Sequence, residues 1–124
     1  MRADTLASTE ILNVQDTLTR FGGDQDLFRD MTAILLEDAP RLARELHVAV
    51  EASDATAIEM KSHALKGLVA GCGGERAAVA AQKLEDAGHR NELKETASHM
   101  KRLTSELNVL QRAIQAWHQK NPAC

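Results

Sequence analysis

The chain has 124 residues, a formal net charge of −3 and only 2% aromatic residues. It contains 20 Ala and 15 Leu, against 10 Ile and Val together. This balance favours helices and excludes an all-β fold, because sheets draw on β-branched and aromatic residues. The negative charge disfavours nucleic acid as a partner, and no apolar run reaches the roughly 18–20 residues of a membrane span.

The N-terminal stretch and the cysteines indicate an ordinary intracellular domain. Residues 1–10 contain Asp4 and Glu10 and lack an apolar centre, so we expect no secretory signal. Cys72 and Cys124 lack the CxxC spacing of a metal or redox pair. We therefore expect a cytoplasmic protein with reduced thiols, forming a single domain over residues 1–124.

The first half of the chain predicts a short helix followed by a long one. A helix over residues 8–21, capped by Ser8 or Thr9, ends at a pair of glycines, and Asp24 caps the next helix, which runs to residue 51. The apolar positions of this second helix form one stripe, made of Leu27, Met31, Ile34, Leu35, Leu42, Leu46 and Val50. Pro40 interrupts the segment, but the stripe resumes in phase, so we expect one kinked helix.

The second half predicts three more helices. Asp54 caps the third, over residues 54–70, and Gly88 ends the fourth, over residues 75–87. Asn91 caps the last helix, and residues 119–124 are predicted to be a frayed tail. The inward positions of these three helices are Ile58, Leu65, Leu68, Val69 and Cys72, then Ala77, Ala81, Leu84 and Ala87, then Leu93, Met100, Leu103, Leu107, Leu110, Ile114 and Trp117.

Long helices joined by short glycine-marked connections pack as antiparallel neighbours. The sequence therefore predicts an all-α fold, an up-and-down antiparallel four-helix bundle with the short N-terminal helix capping one end.

The outer face of the third helix carries an unusual group of residues. His63 lies two residues from Leu65, roughly 160° around the helix, and so faces water. Lys66, Gly67 and Ala70 follow it at helical spacing on that face. Gly67 costs a mid-helix position about 0.5–1 kcal/mol relative to Ala, and it leaves a notch beside the imidazole. A neutral imidazole is a nucleophile for phosphorus, and a nearby ammonium neutralises phosphoryl charge.

This motif resembles the His-x-x-Lys-Gly signature of histidine-containing phosphotransfer (HPt) domains, the intermediates of multistep phosphorelays. The motif here is His63-Ala64-Leu65-Lys66-Gly67. Three further segments resemble the family's second helix and its joint between the third and fourth helices: Phe21-Gly22-Gly23-Asp24, Leu36-Glu37-Asp38-Ala39-Pro40 and residues 71–74. The resemblance covers roughly residues 14–115.

The resemblance implies a role for each residue of the motif. His63 would accept a phosphoryl group on Nε2 from an aspartyl phosphate of a receiver domain and pass it to another receiver. Lys66 would steady the phosphoryl oxygens, while Gly67 and Ala70 would leave room for the receiver. Glu85 would hold the Nδ1 proton.

The resemblance also implies a phosphocarrier and not an enzyme in its own right, with no cofactor of its own. The partners would be receiver domains of response regulators or hybrid histidine kinases. The receiver would supply Mg²⁺, and the carrier would be a monomer.

Two other interpretations remain open at this point. The first is a helical adaptor that is never phosphorylated, or a degenerate HPt domain that only docks receivers; Leu68 stands where family members commonly carry Ser. The second interpretation is a metal-binding bundle that uses Glu59, His63 and other histidines. It is disfavoured because the two residues are four apart and face outward, while His47, His89, His99 and His118 are expected on solvated faces. We therefore predict no metal site.

Overall fold

Four long helices and one short helix make up the computed structural model, which describes residues 12–123 and contains no strand over that range. They are α1 (Val14–Arg20), α2 (Gln25–Glu51), α3 (Ala55–Gly71), α4 (Glu75–Arg90) and α5 (Thr96–Lys120). The long helices form a ring in which α2 packs on α3, α3 on α4, α4 on α5 and α5 on α2. Short connections between neighbours make them antiparallel. The predicted four-helix bundle is confirmed.

Helix α1 lies at the end of the bundle where α3 gives way to α4. The backbone N–H of Asn13 donates to the carbonyl of Gly73 at 2.9 Å, and the Asn13 side chain caps the helix by accepting from the N–H of Asp16. The predicted start of this helix is wrong, because residues 12 and 13 are not helical. Residues 8–11, with the proposed caps Ser8 and Thr9, lie outside the described residues.

Helix α2 continues without a break through Pro40, which confirms one helix over two. Asp24 caps it as predicted, accepting from the N–H of Leu27. The buried stripe differs from the predicted one, since Leu27 and Ile34 are exposed. The residues of α2 that are buried are Phe28, Thr32, Leu35, Ala39, Leu46 and Ala49. Three of these are small or polar, so a pattern of large apolar residues did not reveal them.

The other three long helices supply the rest of the core. Its fully buried large side chains include Ile58 and Leu65 of α3, Leu84 of α4, and Leu103 and Leu110 of α5. The thiol of Cys72, directly after α3, is also buried, and desolvation raises its pKa to about 11. The expectation of a small buried hydrophobe at this position is confirmed.

Gly88 does not end α4, which continues to Arg90 and is closed by Asn91 in the left-handed conformation. Gly88 is instead a contact point between α4 and α3. A Cβ atom added there would lie 2.7 Å from both the carbonyl oxygen of Ala55 and the amide nitrogen of Glu59. The glycine therefore allows the backbones of the two helices to approach closely. The predicted role of Asn91 as the cap of the last helix is likewise wrong, because α5 begins at Thr96.

The end of α5 contacts the start of α2 through hydrogen bonds and ring packing. Helix α5 extends through Lys120, so the predicted frayed tail from residue 119 is wrong at its beginning. The Arg29 guanidinium donates to the carbonyl of Asn121 at 2.8 and 3.2 Å and lies over the ring of Trp117. Trp117 packs edge-on against Phe28, with ring centroids 4.7 Å apart.

Gly67 of α3 and Gly88 of α4 should respond oppositely to substitution by alanine. We expect Gly88→Ala to lower the free energy of unfolding, because overpacking against backbone costs about 1–3 kcal/mol. Gly67→Ala should raise it by about 0.5–1 kcal/mol, since no atom lies within 4 Å of its added Cβ. Urea unfolding followed by circular dichroism measures both. Equal effects of the two substitutions would contradict the packing role of Gly88.

Candidate functional site

His63 stands on the outer face of α3 with 69% of its side chain exposed. Its Nδ1 lies 2.9 Å from Oε2 of Glu85, which reaches across from α4. Because a carboxylate only accepts hydrogen bonds, the neutral imidazole carries its proton on Nδ1. Nε2 therefore keeps its lone pair, and it is the ring nitrogen available to a reacting group from solvent.

Lys66 lies one turn along α3 and is held by two oxygens of α4. Its Nζ is 2.7 Å from Oε1 of Glu85 and 2.9 Å from Oε1 of Gln82. Only 27% of the lysine side chain is exposed. The ammonium group is thus fixed beside the imidazole, and one carboxylate joins the two.

Glu85 is the best shielded of these three groups, with 17% of its side chain exposed. The hydrogen bond from Lys66, and a smaller one from His63, hold the pKa of this carboxyl below its ordinary value, against a burial effect that raises it. Glu85 is therefore anionic at neutral pH. An anion that contacts both the imidazole and the ammonium fixes their positions relative to each other.

Gln82 belongs to the site and was missed by the sequence analysis. Besides accepting from Lys66, its amide donates to Asp86 at 2.8 Å, which orients the amide oxygen toward the lysine. A signal was present, because Gln82 lies three residues before Glu85 and shares its helix face. Amide side chains are common on helix surfaces, so this spacing did not single it out.

The space beside His63 is open along α3. Gly67 is exposed, and nothing lies within 4 Å of the position a Cβ would take. Ala70 is half-buried at the far end of the motif, where it borders a cleft with Thr17 and Arg20 of α1. Leu68 packs against the core, on the side that its helical phase predicted.

The other histidines differ from one another in their surroundings. Glu59 pairs with His89 and not with His63, at 2.9 Å. His118 was expected on a solvated face, but its Nε2 lies 2.7 Å from Oγ1 of the buried Thr32. Within residues 12–123, no three His, Cys, Asp or Glu side chains are grouped closely enough to hold a metal ion. Over the same range, no helix combines the length and the apolar character that crossing a membrane requires.

An exposed imidazole with a carboxylate and an ammonium beside it, on the surface of a helical bundle, agrees with the resemblance to histidine phosphotransfer (HPt) domains. Comparison with protein families agrees: the family model described as "Hpt domain" matches residues 30–116. The chain belongs to the Hpt domain family, and its role is phosphotransfer in phosphorelays. The matched range begins at residue 30, whereas the resemblance described from the sequence begins at about residue 14.

Two solved structures are similar to this chain in fold. One is histidine-containing phosphotransfer protein B (HptB) from Pseudomonas aeruginosa PAO1, with a TM-score of 0.81 and 21% identity over 89% of this chain and 96% of that one. The other is the HPT domain of an Hpt sensor hybrid histidine kinase from Shewanella, with a TM-score of 0.82 and 22% identity over 91% and 97% of the two chains. The search of curated proteins returned no significant match.

The lowered pKa of Glu85 predicts a pH-dependent contribution to stability. This contribution is fully present above the ordinary carboxyl pKa of 4.5 and is lost as the pH falls through the lower value of the folded state. Glu85→Gln should therefore be less stable than wild type at pH 7, with a smaller difference at pH 3. Urea unfolding at the two pH values measures this.

Glu37→Gln is the matched control for that prediction. Glu37 is exposed on α2, and no ion pair to it occurs within the described residues. The stability difference between wild type and Glu85→Gln should shrink at pH 3, and Glu37→Gln should not reproduce it. Either failure would contradict the stabilising role of the ionised Glu85.

Proposed function

We propose that His63 is the phosphoacceptor of this phosphorelay protein, taking a phosphoryl group from a receiver-domain aspartyl phosphate and passing it to another receiver. The observation that carries the proposal is the hydrogen bond between His63 Nδ1 and Glu85, which leaves an exposed Nε2. A nucleophile held by a neighbouring group and open to a macromolecular partner is what transfer between two proteins requires.

The transfer step is a displacement at phosphorus. The lone pair of His63 Nε2 forms the new P–N bond while the P–O bond to the receiver's aspartate breaks, and the carboxylate leaves with the bonding electrons. Nδ1 keeps its proton, so the ring becomes positively charged. The anionic Glu85 stabilises this charge through the hydrogen bond that it already makes. In the second transfer the carboxylate of another receiver attacks the phosphorus and the neutral imidazole leaves.

We propose that Lys66 offsets part of the charge of the phosphoryl group. That group carries a charge approaching −2, and the lysine ammonium one turn from His63 compensates part of it. Lys66 already has acceptors in Glu85 and Gln82, so it needs only to turn one donor toward the phosphoryl oxygens. This arrangement supports a carrier with a stabilised phosphohistidine.

We infer that the remaining catalytic groups come from the partner. The residues around His63 provide a nucleophile, a carboxylate and an ammonium, while in-line transfer also needs alignment and further charge neutralisation. The receiver domain, with its Mg²⁺, would supply these. A monomeric cytoplasmic carrier that docks one receiver at a time, without an ATP or metal site of its own, fits this division of roles.

The test is phosphoryl transfer from a phosphorylated receiver domain, followed by mass-spectrometric mapping. We expect the label on His63 and its complete loss in His63→Gln, with the helical signal in circular dichroism unchanged because the side chain is exposed. The other four histidines serve as internal controls. Receivers that bind the chain without labelling His63 would instead support the adaptor interpretation.

A second prediction separates access by a protein from chemistry at the imidazole. Gly67→Leu should fold normally, since open space surrounds this position. It should slow transfer from the receiver at least tenfold, because a side chain there obstructs the approaching domain. Labelling by phosphoramidate, a small phosphodonor, should stay within about twofold of wild type. Equal losses with both donors would show that Gly67 acts on His63 itself.

A further inference from the structure

A second imidazole–carboxylate pair lies on the same outer face of α3 and α4. His89 Nδ1 is 2.9 Å from Oε2 of Glu59, and 73% of the His89 side chain is exposed. The pair is the reciprocal of the first: α3 provides Glu59 and His63, four residues apart, and α4 provides Glu85 and His89, also four apart. Each helix thus gives one carboxylate and one imidazole to the same surface.

The surroundings of His89 do not favour a phosphoryl group. His89 lies in the last turn of α4, where the helix dipole is negative and disfavours an added anion. Arg90 follows it directly, and Glu92 lies three residues on, outside the helix and beyond the left-handed Asn91. The position three residues on, which Lys66 occupies inside α3 after His63, is outside α4 and acidic after His89. The second pair therefore needs another explanation.

The second pair lies close to the proposed phosphoacceptor. Glu59 is one turn of α3 from His63, and His89 is one turn of α4 from Glu85, each a displacement of about 6 Å along the helix. A protein interface of ordinary size covers about 800 Å² on each partner. A domain that reaches Nε2 of His63 must also cover side chains one turn away. Met60 lies beside Glu59 on α3 and is 65% exposed, which adds an apolar contact to this edge.

We propose that Glu59, Met60 and His89 form a docking edge for the receiver domain, continuous with the His63 site. This inference rests on the proposed function, and the occupant is the receiver because it must approach His63. Glu59 fixes the His89 ring through Nδ1, so Nε2 points outward as a prepared hydrogen-bonding group. Such preorganisation lowers the entropy cost of docking. An exposed side-chain pair on a helix surface contributes little to folding, so removing His89 should leave the fold intact.

The experiment measures phosphoryl transfer to the full chain at increasing concentrations of a phosphorylated receiver domain that labels wild type. We expect His89→Ala to raise the KM for the receiver about threefold to tenfold. A change of this size corresponds to the loss of about one interface hydrogen bond. The rate at saturating receiver should not change, because His89 does not touch the reacting atoms. Glu59→Gln should raise KM by a smaller factor, since its amide still contacts the ring.

His47→Ala is the matched control. His47 is also exposed and pairs with a glutamate, Glu51, but it lies between α2 and α5 on the opposite side of the bundle. It should leave KM and the saturated rate unchanged. Melting curves of both variants should overlay that of wild type.

Three outcomes would overturn the docking edge: an unchanged KM in His89→Ala, an equal rise in His47→Ala, or a fall in the saturated rate at constant KM. Phosphate mapped to His89 would overturn it too, since it would make this residue an acceptor. If wild type is never labelled on His63, the proposed function fails instead, and receiver binding measured by titration calorimetry on His89→Ala and His47→Ala decides whether the edge docks receivers.

Discussion

The carboxylate of Glu85 is the contact on which the site depends. One of its oxygens accepts from the imidazole of His63 at 2.9 Å, and the other forms an ion pair with the ammonium of Lys66 at 2.7 Å. One anion therefore sets the tautomer of the proposed nucleophile and the place of the ammonium that we propose offsets the phosphoryl charge. His63 and Lys66 lie one turn apart on α3, but Glu85 of α4 is the residue that contacts both side chains and orients them.

The contacts of Glu85 with His63 and Lys66 require α3 and α4 to lie close together, and the small buried residues of α4 allow this. The buried face of this helix consists mainly of Ala77, Ala80, Ala81, Ala87 and Gly88. Gly88 brings the two backbones into near contact at Ala55 and Glu59. Small residues at a helix contact shorten the distance that a carboxylate must span. The composition of α4 and the geometry of the imidazole are thus parts of one arrangement.

The sequence was sufficient for the fold class and for the helix that carries His63, because both depend on short-range patterns. Caps at Asp24 and Asp54 and the left-handed glycines at 22 and 23 act within a few residues. The errors arose where a distant contact decides. The sequence predicts that Gly88 ends a helix, because the contact of Gly88 with α3 is not visible in a local pattern. It likewise predicts a frayed tail beyond residue 118, because Arg29, which binds the carbonyl of Asn121, lies 92 residues away in the chain.

The two imidazole–carboxylate pairs show why local geometry alone does not define a phosphoacceptor. Both have a 2.9 Å contact at Nδ1 and an exposed ring. His63 lies inside a helix, followed by Lys66 and an open Gly67, whereas His89 lies at the negative end of a helix and is followed by Arg90 and then, outside the helix, by Glu92. A phosphoryl group brings nearly two negative charges, so the ammonium beside His63 and the negative helix end beside His89 both favour His63 as the proposed phosphoacceptor. Antiparallel packing of α3 and α4 creates this pair of sites, and the different ends of the two helices make them unequal.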